Sequence, residues 1–271
     1  GVTAGYTRAC SQRAPSCMST VPVSAVIIAA NAAETIGACL DSLSRLDEVV
    51  VYLNGSTDDT ASHCAQYGNV RVHEGPFLGF GPTKQAAVDL ARNDWVFSID
   101  TDEQATTELV DAIATLAAGP ATTAGDVMRY NRFCGKHVTR GGWGNDQLLR
   151  VFHRGHARFN DKPVHEKVEP DAGVGTVLLD GVLWHDAVLR LDQFLKKAST
   201  YSEIAAEAKR DQKAPHPFVA FLRSQFAFFR SYVLQLGFLA GWRGLVIAFG
   251  RMTGTFFRYA KRYTKSRGLE P

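Results

Sequence analysis

A chain of 271 residues with 45% hydrophobic and 21% charged residues is long enough for one α/β domain plus an appendage, and excludes a disordered or fibrous protein. Five cysteines (Cys10, Cys17, Cys39, Cys64, Cys134) make no Cys-x-x-Cys pair and no zinc-ligand spacing, which excludes a zinc finger and a disulfide scaffold and fits a reducing compartment. The net charge of +3 divides unevenly: residues 1–211 carry −6, whereas residues 212–269 hold ten Lys or Arg, no Asp or Glu, and 13 of the 28 aromatic residues.

Residues 1–20 read as a disordered N-terminal extension. Arg8 and Arg13 ahead of Val21 give it the outline of a secretory signal, but Pro22 and Ser24 interrupt the apolar run, which leads straight into a helical pattern. Val23–Ala29 is a buried strand, and Glu34–Leu46 has the helical period. Glu48–Leu53 is a second strand, dense in Val. The turn from Asn54 to Thr60 carries a cap for a helix from Thr57 to Tyr67. Val70–His73 is a third strand, Thr83–Arg92 a helix, and Trp95–Ile99 a fourth strand. This alternation predicts a mostly parallel, doubly wound sheet whose ligands bind beyond the C-terminal strand ends. Further on, a helix is predicted over Thr107–Ala118, strands over Val127–Phe133, Gln147–Phe152 and Val177–His185, and a helix over Asp192–Lys209. The domain is expected to span residues 21–211.

The segment 212–271 follows, free of acids up to Glu270. From Phe218 through Phe221, Leu222, Phe226, Phe229, Val233 and Leu236, apolar side chains return at three- and four-residue spacing, the mark of one helical face. No run is long enough to span a bilayer; the best, Tyr232–Trp242, carries Gln235. The composition suits an anionic membrane surface or nucleic acid, and the alternative is a helical hairpin packed on the domain.

The strongest chemical signal is Asp100, Thr101 and Asp102 at the end of the fourth strand. Two carboxylates two residues apart point to one side of an extended chain and repel unless a cation sits between them. Mg2+ or Mn2+, bridging to phosphate oxygens, is the natural partner. A phosphatase of the haloacid-dehalogenase type fits less well, because Gln104 stands where that pattern wants Thr or Val. The Gly79–Lys84 loop brings amides, a helix N-terminus and an ammonium that suit a diphosphate, or is an ordinary cap. Glu166 and Asp146 supply further carboxylates, and His185 is a candidate third metal ligand.

Val26–Asn31, Glu48–Asp58, Gly79–Lys84 and Ser98–Glu103 resemble successive motifs of family 2 glycosyltransferases. Gly141–Trp143, Asp146–Phe152, Ala157–Val168, Trp184–His185 and the Arg-rich tail resemble the branch of lipopolysaccharide inner-core β-1,4-glucosyltransferases. The resemblance runs from about residue 23 to 263. It implies a GT-A fold, Rossmann-like with helices flanking the sheet, and a C-terminal amphipathic helical extension. It also implies inverting transfer of a hexose, glucose, from a UDP-sugar to a lipid-linked saccharide. Asp100, Asp102 and His185 would hold Mg2+ or Mn2+. Ala30, Asn31, Leu53, Asn54, Lys84, Asp100 and Thr101 would line the donor site. Glu166, with Asp146 second, would be the base. Leu53 and Asn54 depart from the acidic residue the family usually has there, as does Ala32 from the usual Asn-Glu. The implied enzyme is cytoplasmic, peripheral on the inner face of the cell membrane, with no nucleic-acid partner. A polyprenyl-phosphate sugar transferase and a non-catalytic membrane-binding module are the alternatives.

Overall fold

The computed structural model describes residues 20–162, 166–207 and 214–269. The expected extension at 1–20, but for Thr20, and the expected boundary at 211 lie outside them. Chain order begins with β1 (Val21–Ala29), α1 (Ile36–Ser42), β2 (Leu46–Leu53), α2 (Thr60–Cys64), β3 (Val70–Glu74), α3 (Phe80–Asp89), β4 (Trp95–Ser98) and β5 (Glu103–Ala105). Then come α4 (Thr107–Ala117), β6 (Thr123–Phe133), β7 (Lys136–His137), β8 (Asp146–His153), β9 (Ala157–Phe159), β10 (Val168–Pro170), β11 (Gly175–Leu178), β12 (Leu183–Val188) and α5 (Leu191–Glu207). The tail forms α6 (Pro217–Phe229), a π turn over Arg230–Leu234, a 3-10 turn over Gly237–Ala240 and α7 (Trp242–Ser266).

The main sheet runs in the order β3-β2-β1-β4-β8-β6-β12-β5. β1, β2, β3 and β4 are mutually parallel, with Ile27 beside Val51 and Val26 beside Ser98. β1 and β2 are apolar nearly throughout because helices cover both faces. One face packs Leu40 of α1 and Leu109 and Ile113 of α4 against Ile27, Val51 and Phe97. The other packs Ala87 and Val88 of α3 against Val26, Val50 and Phe152. The sheet then turns mixed: β8 is antiparallel to β4 and to β6, while β12 runs parallel to β6 and antiparallel to β5.

The strand expected over Val177–His185 is in fact two, β11 and β12. Between them Gly181 has φ +91°, and a Cβ there would stand 2.3 Å from the Leu109 amide nitrogen, so the chain folds tightly against α4 instead of continuing straight. β5, β9 and β10 have three residues each, too few for any period to show in the sequence.

α7 is joined to the sheet through Phe133, Val138, Val188 and Ile247. No helix among the described residues is long and apolar enough to cross a membrane. The tail nevertheless leaves large apolar side chains in solvent: Phe218 is 63% exposed, Phe226 59% and Leu239 60%.

Candidate active site

The ends of β1, β2 and β4 form the floor of the site. Asn31 takes a left-handed conformation, φ 51°, and its side-chain oxygen accepts the Thr57 amide at 2.8 Å, stapling the turn after β1 to the turn after β2. Ala30 and Asn31 are exposed, Leu53 is buried, and the Asn54 amide donates to the Ala29 carbonyl at 3.0 Å. The residues expected on the nucleoside side thus lie together at the C-terminal ends of the neighbouring strands β1 and β2.

α3 begins at Phe80, three residues earlier than expected. Gly81 donates its amide to the Lys162 carbonyl at 3.1 Å, and a Cβ on it would lie 2.1 Å from the Asn160 carbonyl oxygen. Glycine here lets the segment around 160–162 press on α3. Lys84, one turn later, is buried and places its ammonium 2.8 Å from Asp100 and 3.0 Å from Glu166.

From that lysine a row of alternating charges crosses the site. Arg150 of β8 donates to Asp100 at 2.9 Å and to Glu103 at 3.1 Å. Arg129 of β6 donates to Glu103 at 3.1 Å and to Asp146 at 2.9 Å. The order is Glu166, Lys84, Asp100, Arg150, Glu103, Arg129, Asp146, with opposite signs adjacent throughout. Glu103 is wholly buried, and its second oxygen accepts the Asp100 amide at 2.9 Å. Burial pushes the Asp100 carboxyl up, but Lys84 and Arg150 outweigh it and hold the group well below the usual carboxylate range. Asp146 is likewise held down against its burial, by Arg129 and Asn131.

Beyond Asp146 the contacts continue through Asn131 to His185 and Asp102. The Asn131 side-chain nitrogen donates to Asp146 at 3.1 Å and also to the Gly144 carbonyl. Both partners are acceptors, so the Asn131 oxygen must face His185 Nδ1, which lies 2.6 Å away. Nδ1 then carries the proton, and Nε2 turns its lone pair toward Asp102 Oδ2 at 3.5 Å. Two acceptors face to face repel unless a positive charge lies between them, either a proton on the ring or a metal ion. The imidazole nitrogen, the carboxylate oxygen and the hydrogen bond that orients the ring from behind suit a divalent cation.

The three-ligand set expected from the sequence is thus not assembled. Both Asp100 oxygens face cations, and among the described residues no group of three or more His, Cys, Asp and Glu side chains could hold a metal ion. Asp102 and His185 remain as a pair, which suits an ion that draws its other ligands from phosphate oxygens and water. Thr101 sits in the turn between the two aspartates. Glu166 and Asp146 lie at opposite ends of the charge row. Sequence reasoning missed Glu103, Arg129, Arg150 and Asn131. The available signal was an arginine inside each of two otherwise strand-like runs, a placement that requires a buried carboxylate.

The profile of Glycosyl transferase family 2 matches residues 24–174, more than half of the chain. Over 252 residues the chain is 29% identical to the lipopolysaccharide core biosynthesis glycosyltransferase LpsC of Rhizobium meliloti (strain 1021), covering 90% of this chain and 93% of that protein. It is 27% identical over 251 residues to an uncharacterized glycosyltransferase of Rickettsia typhi, covering 88% and 86%. Among solved structures, Staphylococcus aureus TarS 1–349 superposes with a TM-score of 0.43 at 15% identity over 91% of each chain. Glucosyl-3-phosphoglycerate synthase from Mycobacterium tuberculosis, in complex with Mn2+, UDP and glucosyl-3-phosphoglycerate, superposes at 0.42 with 20% identity over 68% of this chain and 77% of that one. With that profile match running from the first strand over more than half of its length, the chain belongs to glycosyl transferase family 2 and is a glycosyltransferase.

Proposed function

We propose that this enzyme transfers glucose, with inversion, from UDP-glucose to a lipid-linked saccharide of the lipopolysaccharide inner core, working peripherally on the inner face of the cell membrane. The observation that carries the donor half is the Asp102–His185 pair, oriented from behind by Asn131, with Asp102 two residues beyond Asp100, which pairs with the buried Lys84. The acceptor half is supported by the near full-length similarity to a protein of lipopolysaccharide core biosynthesis and by the acid-free, apolar-faced tail.

On this reading Ala30, Asn31, Leu53 and Asn54 line the nucleoside side, where Asn54 offers a neutral amide in place of an acidic group. Lys84 and Asp100 stand near the diphosphate. Asp102 and His185 would hold Mg2+ or Mn2+, which supplies charge neutralisation for the departing diphosphate when bound. The acceptor hydroxyl attacks the anomeric carbon from the face opposite the leaving group. The new carbon–oxygen bond forms as the bond to the diphosphate breaks, and the hydroxyl proton passes to a carboxylate. Glu166 is that base, with its carboxylate 3.0 Å from the Lys84 ammonium. Asp146, whose carboxyl is held down by Arg129 and Asn131, is the second candidate.

The test is diphosphate release from a panel of UDP- and GDP-sugars, with Mn2+ and with a chelator. UDP-glucose is expected to turn over only with the ion, and Asp102→Asn should reduce turnover by roughly 10- to 100-fold or more. Undiminished turnover by Asp102→Asn overturns the metal assignment, and exclusive use of a GDP-sugar overturns the donor. Glu166→Gln should lower kcat by roughly 10²–10⁴-fold while leaving UDP binding unchanged. If Asp146→Asn alone has that effect, the base is Asp146.

A further inference from the structure

Two stretches of chain without a single acid meet at the loop that leads to Asp146. Residues 133–145, between β6 and β8, hold Lys136 and Arg140 and no Asp or Glu; residues 212–269 hold ten Lys or Arg and no acid. The arginines that join them donate to main-chain carbonyls rather than to carboxylates. Arg243 of α7 donates to the Phe133 and Cys134 carbonyls at 2.9 and 3.0 Å, and Arg251, two turns further on, donates to the Gly142 carbonyl. Arg230, the first residue of the π turn, lies close enough to act on Arg251: partial burial and then Arg230 hold the Arg251 guanidinium below the ordinary arginine range. At Arg150 burial acts the same way, but Glu103 and Asp100 outweigh it. Arg45, Arg71, Arg129, Arg150 and Arg154 each face a carboxylate, whereas Arg230 and Arg251 face none among the described residues. Both remain open to solvent.

We propose that Arg230 and Arg251 bind a phosphate or carboxylate group carried by the acceptor saccharide. Two neighbouring guanidiniums with no anion between them repel, and an oxyanion that accepts from both turns the repulsion into attraction. Gly142 belongs to the arrangement. Its φ is +75°, and a Cβ there would stand 2.9 Å from Arg251 Nη2 and 2.4 Å from Gln235 Oε1, so a larger residue would push the guanidinium aside. The loop ties the pair to the chemistry. Gly144, whose carbonyl accepts from Asn131, is two residues from Gly142, a span of at most about 7 Å, and Asn131 orients His185. Asp146 follows two residues later. An anionic substituent held at Arg251 therefore sets the neighbouring part of the acceptor against the edge that carries Asp146 and His185. This proposal deepens the reading of the enzyme as one that takes a UDP-sugar donor and a saccharide acceptor, and rests on it.

The experiment titrates the full chain, saturated with UDP and Mg2+ so that the donor side is filled, with glucose 6-phosphate, glucuronate, glucose and inorganic phosphate by calorimetry at low salt. The anionic sugars are expected to bind once per protein and roughly tenfold or more tighter than glucose, and the tighter of the two names the group. Arg230→Gln should remove most of that preference with melting temperature and UDP affinity unchanged. Arg251→Gln should remove it too, with a lower melting temperature because the Gly142 carbonyl loses its donor. Arg230→Gln therefore keeps the test decisive should Arg251→Gln fold poorly. Equal affinity for glucose and its phosphate, or a preference that survives in Arg230→Gln, overturns the subsite. Inorganic phosphate that binds as tightly as glucose 6-phosphate marks a general anion patch and overturns the saccharide assignment. Phosphatidylglycerol vesicles that displace glucose 6-phosphate, and that Arg230→Gln no longer binds, give the pair to a lipid headgroup and overturn it as well. A protein that binds no UDP counts against the donor reading alone, and the same sugar titration run without UDP still decides the subsite.

Discussion

At the scale of single residues the site depends on groups that touch no substrate. Glu103 binds both arginines and the Asp100 amide from full burial, so it sets the carboxylates at two places in the row. Glu103→Gln keeps the shape but leaves two guanidiniums short of an anion. It should cost roughly 10- to 100-fold in kcat, read against UDP affinity and melting temperature on the same protein. Asn131→Ala removes the acceptor that fixes the His185 ring and should weaken activation by Mn2+ by a similar factor. Glu48 shows the same logic away from the site. It accepts from Ser24, Arg71 and the Arg92 amide. Burial pushes its carboxyl up, and these partners outweigh that and hold it below its ordinary 4.5. A group depressed in the folded state adds stability that is full above the ordinary value and is lost as pH falls toward the folded one. Melting temperature should therefore drop on acidification below about pH 4.5, and Glu48→Gln should flatten that drop while costing about 1–3 kcal/mol at neutral pH. Asp100 and Asp102 stand out in the sequence by their spacing after a strand, whereas His185 entered only as a third ligand that a metal would want. Their separate surroundings were not legible, because Arg150, which pairs with Asp100, and Asn131, which orients His185, come from strands distant in sequence.

At the scale of elements, the first four strands and their helices were readable because parallel strands covered on both faces become unbroken apolar runs. The second half was harder. β12 is interrupted by residues of mixed character, and the break before it is a tight turn imposed by Gly181 against α4. The Gly79–Lys84 loop was read as an anion cradle or a cap. It starts α3, and it also provides a seat for the 160–162 segment and carries Lys84 to two carboxylates. Gly81→Ala places a methyl against the Asn160 and Lys162 carbonyls and must move one of them. It should destabilise the fold by about 1–3 kcal/mol and lower transfer by shifting Lys84, observable as a fall in both melting temperature and kcat.

At the scale of the whole molecule, a sheet that holds the charge row is joined to a helical tail with no Asp or Glu from residue 212 to 269. Removing the chain after residue 211 should weaken binding to anionic liposomes, most at low salt, since each basic residue near such a surface adds about 1 kcal/mol. Sedimentation at two ionic strengths checks this. The join is specific. The Ser231 hydroxyl donates to the Gly141 carbonyl at 2.7 Å, the Gly141 amide to the Gln235 carbonyl at 2.9 Å, and Arg251 to the Gly142 carbonyl. Four residues further along that loop stands Asp146, the end of the charge row. Whatever the tail rests on, the height of the reactive groups above it is set by these few stitches. Lengthening the loop between 142 and 146 would detach the working edge from its footing without altering either.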